Sequence, residues 1–254
     1  MFRRLPPMAI PVAVLVAVLT ALPFAWRQHV TPAGWRFTGN VMARNPDMMQ
    51  YRVWFRQTQH DGPIVPDRFT TEPNGPTLPL VYPYVIGQAA RWLSVPPEFV
   101  YAFTGVALAF AFTLLLFAAV REFVPAPHLQ WWVFLGTLAG GGFGGHLKLL
   151  LRFEAVKSNP VVRRLLWDPV SEYLLFEDYR GHLVVTTLFD PQRLLNWTLC
   201  TASILGLYGY LKRGGRWRLA LVATLFLLMT LVHLYEGVTL ILIAGAILLL
   251  CWRK

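Results

Sequence analysis

The chain has 254 residues, 56% of them hydrophobic and only 14% charged, with a mean hydropathy of +0.47. Soluble domains carry about 25% charged residues, so an ordinary soluble domain is excluded, and several apolar runs of about 17–25 residues indicate a helical membrane bundle instead. The net charge of +10 would suit a nucleic-acid binder only if its basic residues clustered on a soluble face. They lie between apolar runs, so anionic lipid or a phosphorylated substrate accounts for them and no nucleic-acid partner is expected.

Taken in order, Phe2-Arg3-Arg4 precedes an apolar run over 8–26, with Pro11 and Pro23 near its ends. The run is long and lacks a clear small-x-small cleavage site, which predicts an uncleaved first span with a cytoplasmic amino terminus. Residues 27–98 form a long extracytoplasmic loop. Within it, Asn45-Pro46-Asp47 reads as an N-cap, a first-turn proline and a first-turn acid, opening a helix that continues to about Gln59. Met48, Tyr51 and Phe55 make an apolar stripe on that helix, and Arg52 and Arg56 lie on another face. Such a helix is expected to lie on the membrane surface. Prolines 63, 66, 73, 76 and 79 make 61–79 irregular. Leu80–Leu93 is apolar but short, with Pro83, Gly87 and Arg91 interrupting it, and reads as a second interfacial or re-entrant segment.

Further spans are expected at 99–120, 131–143, 194–211, 219–235 and 238–252, with a second outer loop at 144–193. Gly140 to Gly145 formally contains G-x-G-x-x-G, but no strand precedes it and no βαβ unit follows, so dinucleotide binding is rejected. Gly136, Gly140 and Gly144, four apart, suit close helix packing or a broken helix. The expected fold is therefore an all-α integral membrane protein, a single membrane domain of about six transmembrane helices with two long extracytoplasmic loops carrying interfacial helices. Threaded this way, the short segments on the amino-terminal side hold nine basic residues: Arg3, Arg4, Arg121, Lys212, Arg213, Arg216, Arg218, Arg253 and Lys254. That excess makes the side cytoplasmic. The outer loops are nearly balanced, with seven basic and five acidic residues in 27–98 and seven and six in 144–193. Dense, balanced charge above a bundle points to a site.

Asp47 has two readings: an acid that stabilises its own helix by about 0.3–1 kcal/mol, or a general base at the membrane surface. Glu72, in Thr70-Thr71-Glu72-Pro73, is either a solvated turn acid or a site carboxylate. Arg52, Arg56 and Arg68 suit a phosphate, because the guanidinium fork matches its oxygens, and they suit lipid headgroups equally well. His233 and Glu236 interrupt two apolar runs, and ionisable groups there should face the bundle interior or a water-filled cavity. His146 and His182 read as surface or packing residues, and Glu177-Asp178 has no metal-site spacing. Cys200 and Cys251 lie inside apolar runs, and no triad, P-loop, H-E-x-x-H or C-x-x-C motif occurs. No metal and no cofactor is expected.

One span, an outer loop with N-x-D-x-x-x-Y and F-T-T-E-P, and a broken helix at H-x-Y-E together resemble the multi-span GT-C-type glycosyltransferases. The resemblance is nearest to bacterial members related to the dolichyl-phosphate-mannose protein mannosyltransferases, which implies a bacterial inner (plasma) membrane. It rests on Asn45, Asp47, Tyr51, Arg56, Gln57, Thr71, Glu72, Pro73, His233, Tyr235 and Glu236. It implies an inverting transfer of sugar from a polyprenyl-phosphate donor to an acceptor hydroxyl, with Asp47 as general base and Glu72 as a second acid. Loop arginines and His233 would face the donor phosphate, and Glu236 would complete the substrate pocket. Two features depart from the family: relatives have roughly twice as many spans, and the acids here are not an adjacent pair. The chain is therefore expected to be an amino-terminal portion, or to rely on a partner subunit for the rest. The rival reading is a non-catalytic membrane subunit or a lipid-phosphate-binding scaffold. A transporter is a third reading, disfavoured because the ionisable residues cluster at one membrane face.

Overall fold

The computed structural model describes residues 6–34, 47–66, 75, 78–139, 191–232 and 237–245. Helices dominate: α1 (Ala9–His29), α2 (Asp47–Asp61), α3 (Val81–Leu93), α4 (Pro97–Phe123), α5 (Pro127–Ala139), α6 (Pro191–Arg213), α7 (Arg216–Val232) and α8 (237–245). Two short strands, β1 (Ile64–Val65) and β2 (Leu78–Pro79), pair antiparallel with Ile64 opposite Pro79. The chain divides into two compact units, one of residues 1–119 and 191–254, the other of residues 120–190.

Among the described residues, α1, α4 and α6 are long and apolar enough to cross a membrane. Only 33%, 33% and 28% of their apolar windows are buried by protein, so most of each apolar surface needs another cover, and lipid is the medium that supplies it. On α1 the buried residues Ala9, Ala13, Val16, Thr20 and Phe24 follow helical spacing, while Ile10, Val14, Leu15, Leu22 and Trp26 are exposed. The hydroxyls fit the same setting. Thr20, Thr104, Thr113, Thr198 and Ser203 each donate to the carbonyl four residues earlier in their own helix, which satisfies the group without water. The other expected spans are helical where described: α5 over 13 residues, α7 over 17 and α8 over 237–245. The glycine string 140–145 and the second outer loop as far as residue 190 lie outside the described residues, and the last three residues expected in that loop, 191–193, open α6.

Helices α6 and α7 form a hairpin. Gly214 and Gly215 both take positive φ, and the Gly214 amide donates to the Tyr210 carbonyl at 2.7 Å, closing α6 with a left-handed residue that glycine adopts without strain. Leu207, Val222 and Ala244 bury a small apolar cluster along the hairpin, with Tyr210 and Phe226 packed against it.

The main convergence lies at the other end of the hairpin. Phe55 of α2, Tyr82 and Ile86 of α3, and Tyr101 of α4 form a buried cluster, flanked by Tyr51, Val100, Leu195 of α6 and Val232 of α7. Aromatic rings carry much of this contact, with Phe55 and Tyr82 centred 5.1 and 6.2 Å from Tyr101. The packing here bears on two of the expected interfacial segments. The Tyr51 and Phe55 stripe of α2 meets protein on α3 and α4 instead of lipid. The Leu80–Leu93 segment is one continuous helix, because each expected interruption is absorbed. Pro83 falls in the first turn, where its missing N–H has no intrahelical acceptor to lose. Gly87 is buried against α2. Arg91 sits in the last turn, which favours a cation.

Candidate functional site

Helix α2 carries the sequence-predicted residues, and three anchors fix it. The first is its close approach to α3. A Cβ on Gly87 would lie 2.7 Å from the Phe55 carbonyl oxygen, so only glycine lets the backbones come this near. The second is a cap. Gln88 Nε2 donates to the Thr58 carbonyl at 3.0 Å, and Arg91 Nη1 lies 3.5 Å from that of Gln59, so α3 side chains serve the last, otherwise orphaned, carbonyls of α2. The third ties α2 to the strand pair: Gln57 Nε2 donates to the Pro66 carbonyl at 2.9 Å. The next ladder contact is Leu80 N donating to the Pro63 carbonyl at 2.7 Å. Segment 67–77, which holds Arg68 and Glu72, connects β1 to β2, and both residues lie outside the described residues.

With α2 held, Arg52 and Arg56, one turn apart, meet a carboxylate that the sequence reading counted only as loop charge. Glu98, in the first turn of α4, is 5% exposed, and its Oε1 lies 3.5 Å from Arg52 Nη2 and 3.6 Å from Arg56 Nη2. Both contacts converge on one oxygen. The other, Oε2, is buried with no hydrogen-bond partner among the described residues. The two arginines differ. The Arg52 side chain is 18% exposed and committed to the protein, whereas that of Arg56 is 59% exposed and keeps donors on its open side. Among the described residues, two cations face one anion. The Arg56 edge of the cluster suits an anion, since the guanidinium presents several N–H donors in a planar fork.

The depth of this cluster follows from α4. The helix has 27 residues, about 40 Å at 1.5 Å per residue, against about 30 Å for a bilayer's hydrocarbon core. The charged residues of α4 are confined to its ends, Glu98 in the first turn and Arg121 and Glu122 in the last. Glu98 therefore marks the boundary of the apolar length, at the level expected for lipid phosphates. The negative charge also complements the helix dipole at that end.

On α6, Gln192 and Asn196 are buried one turn apart. Gln192 Nε2 donates to the carbonyl of Val232, the last residue of α7, at 3.2 Å. Through that bond and the packing of Val232, α7 ends against the same aromatic cluster that carries α2 and α4. His233 and Glu236 follow directly in the chain, and both lie outside the described residues. Asn196 is 1% exposed, and among the described residues neither its Oδ1 nor its Nδ2 has a hydrogen-bond partner.

The described structure thus brings together Arg52 and Arg56 among the seven expected site residues. Asp47 opens α2 in its backbone, with its side chain outside the description, and its flanking residues Asn45 and Pro46 also lie outside it. Glu98 is the residue sequence reasoning missed. A signal was present: an acid at the head of an apolar run is a dipole-favoured position, and two arginines one turn apart require a counter-ion. Among the described residues, no group of three His, Cys, Asp or Glu side chains is arranged to hold a metal ion. No protein-family model, no curated protein and no solved structure matches this chain.

Proposed function

We propose that the protein is a GT-C-type membrane glycosyltransferase of the bacterial plasma membrane, using an extracytoplasmic site to move a sugar from a polyprenyl-phosphate donor to an acceptor hydroxyl. The bundle would have about six spans and a cytoplasmic amino terminus. The observation that carries this reading is the Arg52–Glu98–Arg56 cluster at the end of α4, on the helix whose first residue is Asp47. A phosphate held by the exposed edge of Arg56 lies within the same structural unit as the α2 carboxylate. In this reading Asp47 takes the acceptor proton, and the glycosidic bond to the donor phosphate breaks as the new bond to the acceptor oxygen forms. Arg52 is a positioning residue whose charge is spent on Glu98. Glu72 and Arg68 enter from segment 67–77, and His233 and Glu236 from the end of α7. In this reading a partner subunit completes the site.

The test is sugar transfer in membranes from a polyprenyl-phosphate donor. Asp47→Asn abolishes transfer while membrane insertion stays intact, and unchanged transfer removes Asp47 as the base. One observation favours a second reading, a lipid-phosphate-binding scaffold: Glu98 already compensates half of the arginine charge within the protein. In that case Asp47→Asn and the unaltered chain bind polyprenyl phosphate equally and neither transfers sugar.

A further inference from the structure

Helix α3 has two apolar faces, and the protein covers only one. Tyr82, Ile86 and Ala90 are buried. On the uncovered side Val85 is 56% exposed and Trp92 84%, and Leu93 beside it is also exposed. The chain turns at Ser94, with φ at 55°, into Val95, also exposed, and enters α4, where Phe99 and Phe103 continue the uncovered apolar surface. Over 81–96 the only charged residue is Arg91, whose guanidinium reaches back to the Gln59 carbonyl. A helix apolar on both faces is normally covered on both. At 13 residues, about 20 Å, α3 is too short to cross a bilayer.

We infer that the α3–α4 elbow is seated in the outer leaflet, with Trp92 and Leu93 among the upper acyl chains beside the start of the α4 span. Continuity identifies the occupant as lipid. The exposed surface of the elbow runs without a charged break into Phe99 and Phe103 on a helix long and apolar enough to span the membrane. Trp92 stands at the end of α3, the level at which tryptophan concentrates in membrane proteins because its ring is apolar and its N–H polar. The elbow then sets the height of the ion cluster. Glu98 adjoins Phe99 in the chain and packs on the protein side of the same turn, so the seated elbow holds Arg56 at the phosphate level. This inference takes the side of the membrane from the proposed topology and does not depend on sugar transfer.

The full chain, with Cys200→Ser and Cys251→Ser, is labelled with a nitroxide through Trp92→Cys, Leu93→Cys, Phe103→Cys or, as the aqueous reference, His60→Cys. It is then reconstituted in phosphatidylcholine–phosphatidylglycerol vesicles. Labels at 92, 93 and 103 should favour dissolved oxygen over a water-soluble nickel chelate several-fold more than the label at 60. Chelate access at 92 and 93 equal to that at 60 overturns the inference. So does shielding from both reagents, which would assign the face to a protein neighbour. A measurement free of labels covers variants that fail to fold. Lipids brominated on the upper acyl carbons should quench the fluorescence of the unaltered chain more than that of Trp92→Phe. Equal fractional quenching of the two overturns the inference.

Discussion

Removing the Glu98 carboxylate tests the ion cluster most directly, because the two arginines make unequal demands on it. In Glu98→Ala both lose a counter-ion, but only Arg52, at 18% exposure, is left largely buried. Breaking a buried pair costs about 3–5 kcal/mol when the remaining charge has no other partner, and Arg52 keeps further contacts of its own that reduce the loss. The 3.5 Å contact is at the outer limit of a hydrogen bond, and burial of Glu98 itself carries a desolvation cost that the substitution relieves. The expected loss is therefore about 2–3 kcal/mol, below the range for a well-made buried pair. Arg56 adds little, since exposed pairs contribute about 0–1 kcal/mol. A double-mutant cycle separates the two: Arg52→Ala with Glu98→Ala should couple by about 1–2 kcal/mol, and Arg56→Ala with Glu98→Ala by less than about 0.5 kcal/mol. The assay is reversible unfolding in mixed micelles by increasing fractions of dodecyl sulfate, followed by near-ultraviolet circular dichroism. A loss below about 0.5 kcal/mol for Glu98→Ala, or stronger coupling to Arg56 than to Arg52, would refute the reasoning.

The same assay reads three further substitutions. Gly87→Ala gains about 1 kcal/mol of helix propensity, but its new Cβ meets the Phe55 carbonyl at 2.7 Å, a backbone atom that cannot rotate away. Overpacking should win, with a net loss of about 1–2 kcal/mol; a stabilised variant would mean that α2 does not approach α3 this closely. Asn196→Leu replaces a buried amide with no partner by an apolar group of similar size, so stability should rise by about 1 kcal/mol. A loss would show that the amide is satisfied in the membrane. Asp47→Asn should cost no more than about 1 kcal/mol, as a first-turn acid does, so any abolition of transfer is separable from unfolding.

Much of the fold was legible because hydropathy is a local property. The long runs at 8–26 and 99–120 appear as α1 and α4 with their ends shifted by a few residues. The predicted opening of α2 at Asn45 and Pro46 lies outside the described residues, the helix is described from Asp47, and its predicted end at Gln59 falls two residues short. The Leu80–Leu93 segment was harder, since Pro83, Gly87 and Arg91 each weaken a helix when judged by intrinsic preference. Their roles come from neighbours: a first turn, an approaching backbone and a carbonyl to cap. The site divides in the same way. Arg52 and Arg56 stand out in sequence by charge and by their one-turn spacing. Glu98 did not, because its meaning depends on a partner 46 residues away.

The sequence by itself determined that apolar helices must leave water, where charge is tolerated along the chain, and that α2 has an acid at its start and two arginines on one flank. Only the tertiary structure decided that the α2 stripe turns to protein, that Glu98 closes the arginine pair at the head of α4, and that α7 ends against the same aromatic cluster. The division has a physical cause. Partition into lipid sums over neighbouring residues in the chain, whereas an ion pair or a close backbone contact depends on which distant segments the packed helices bring within a few ångströms.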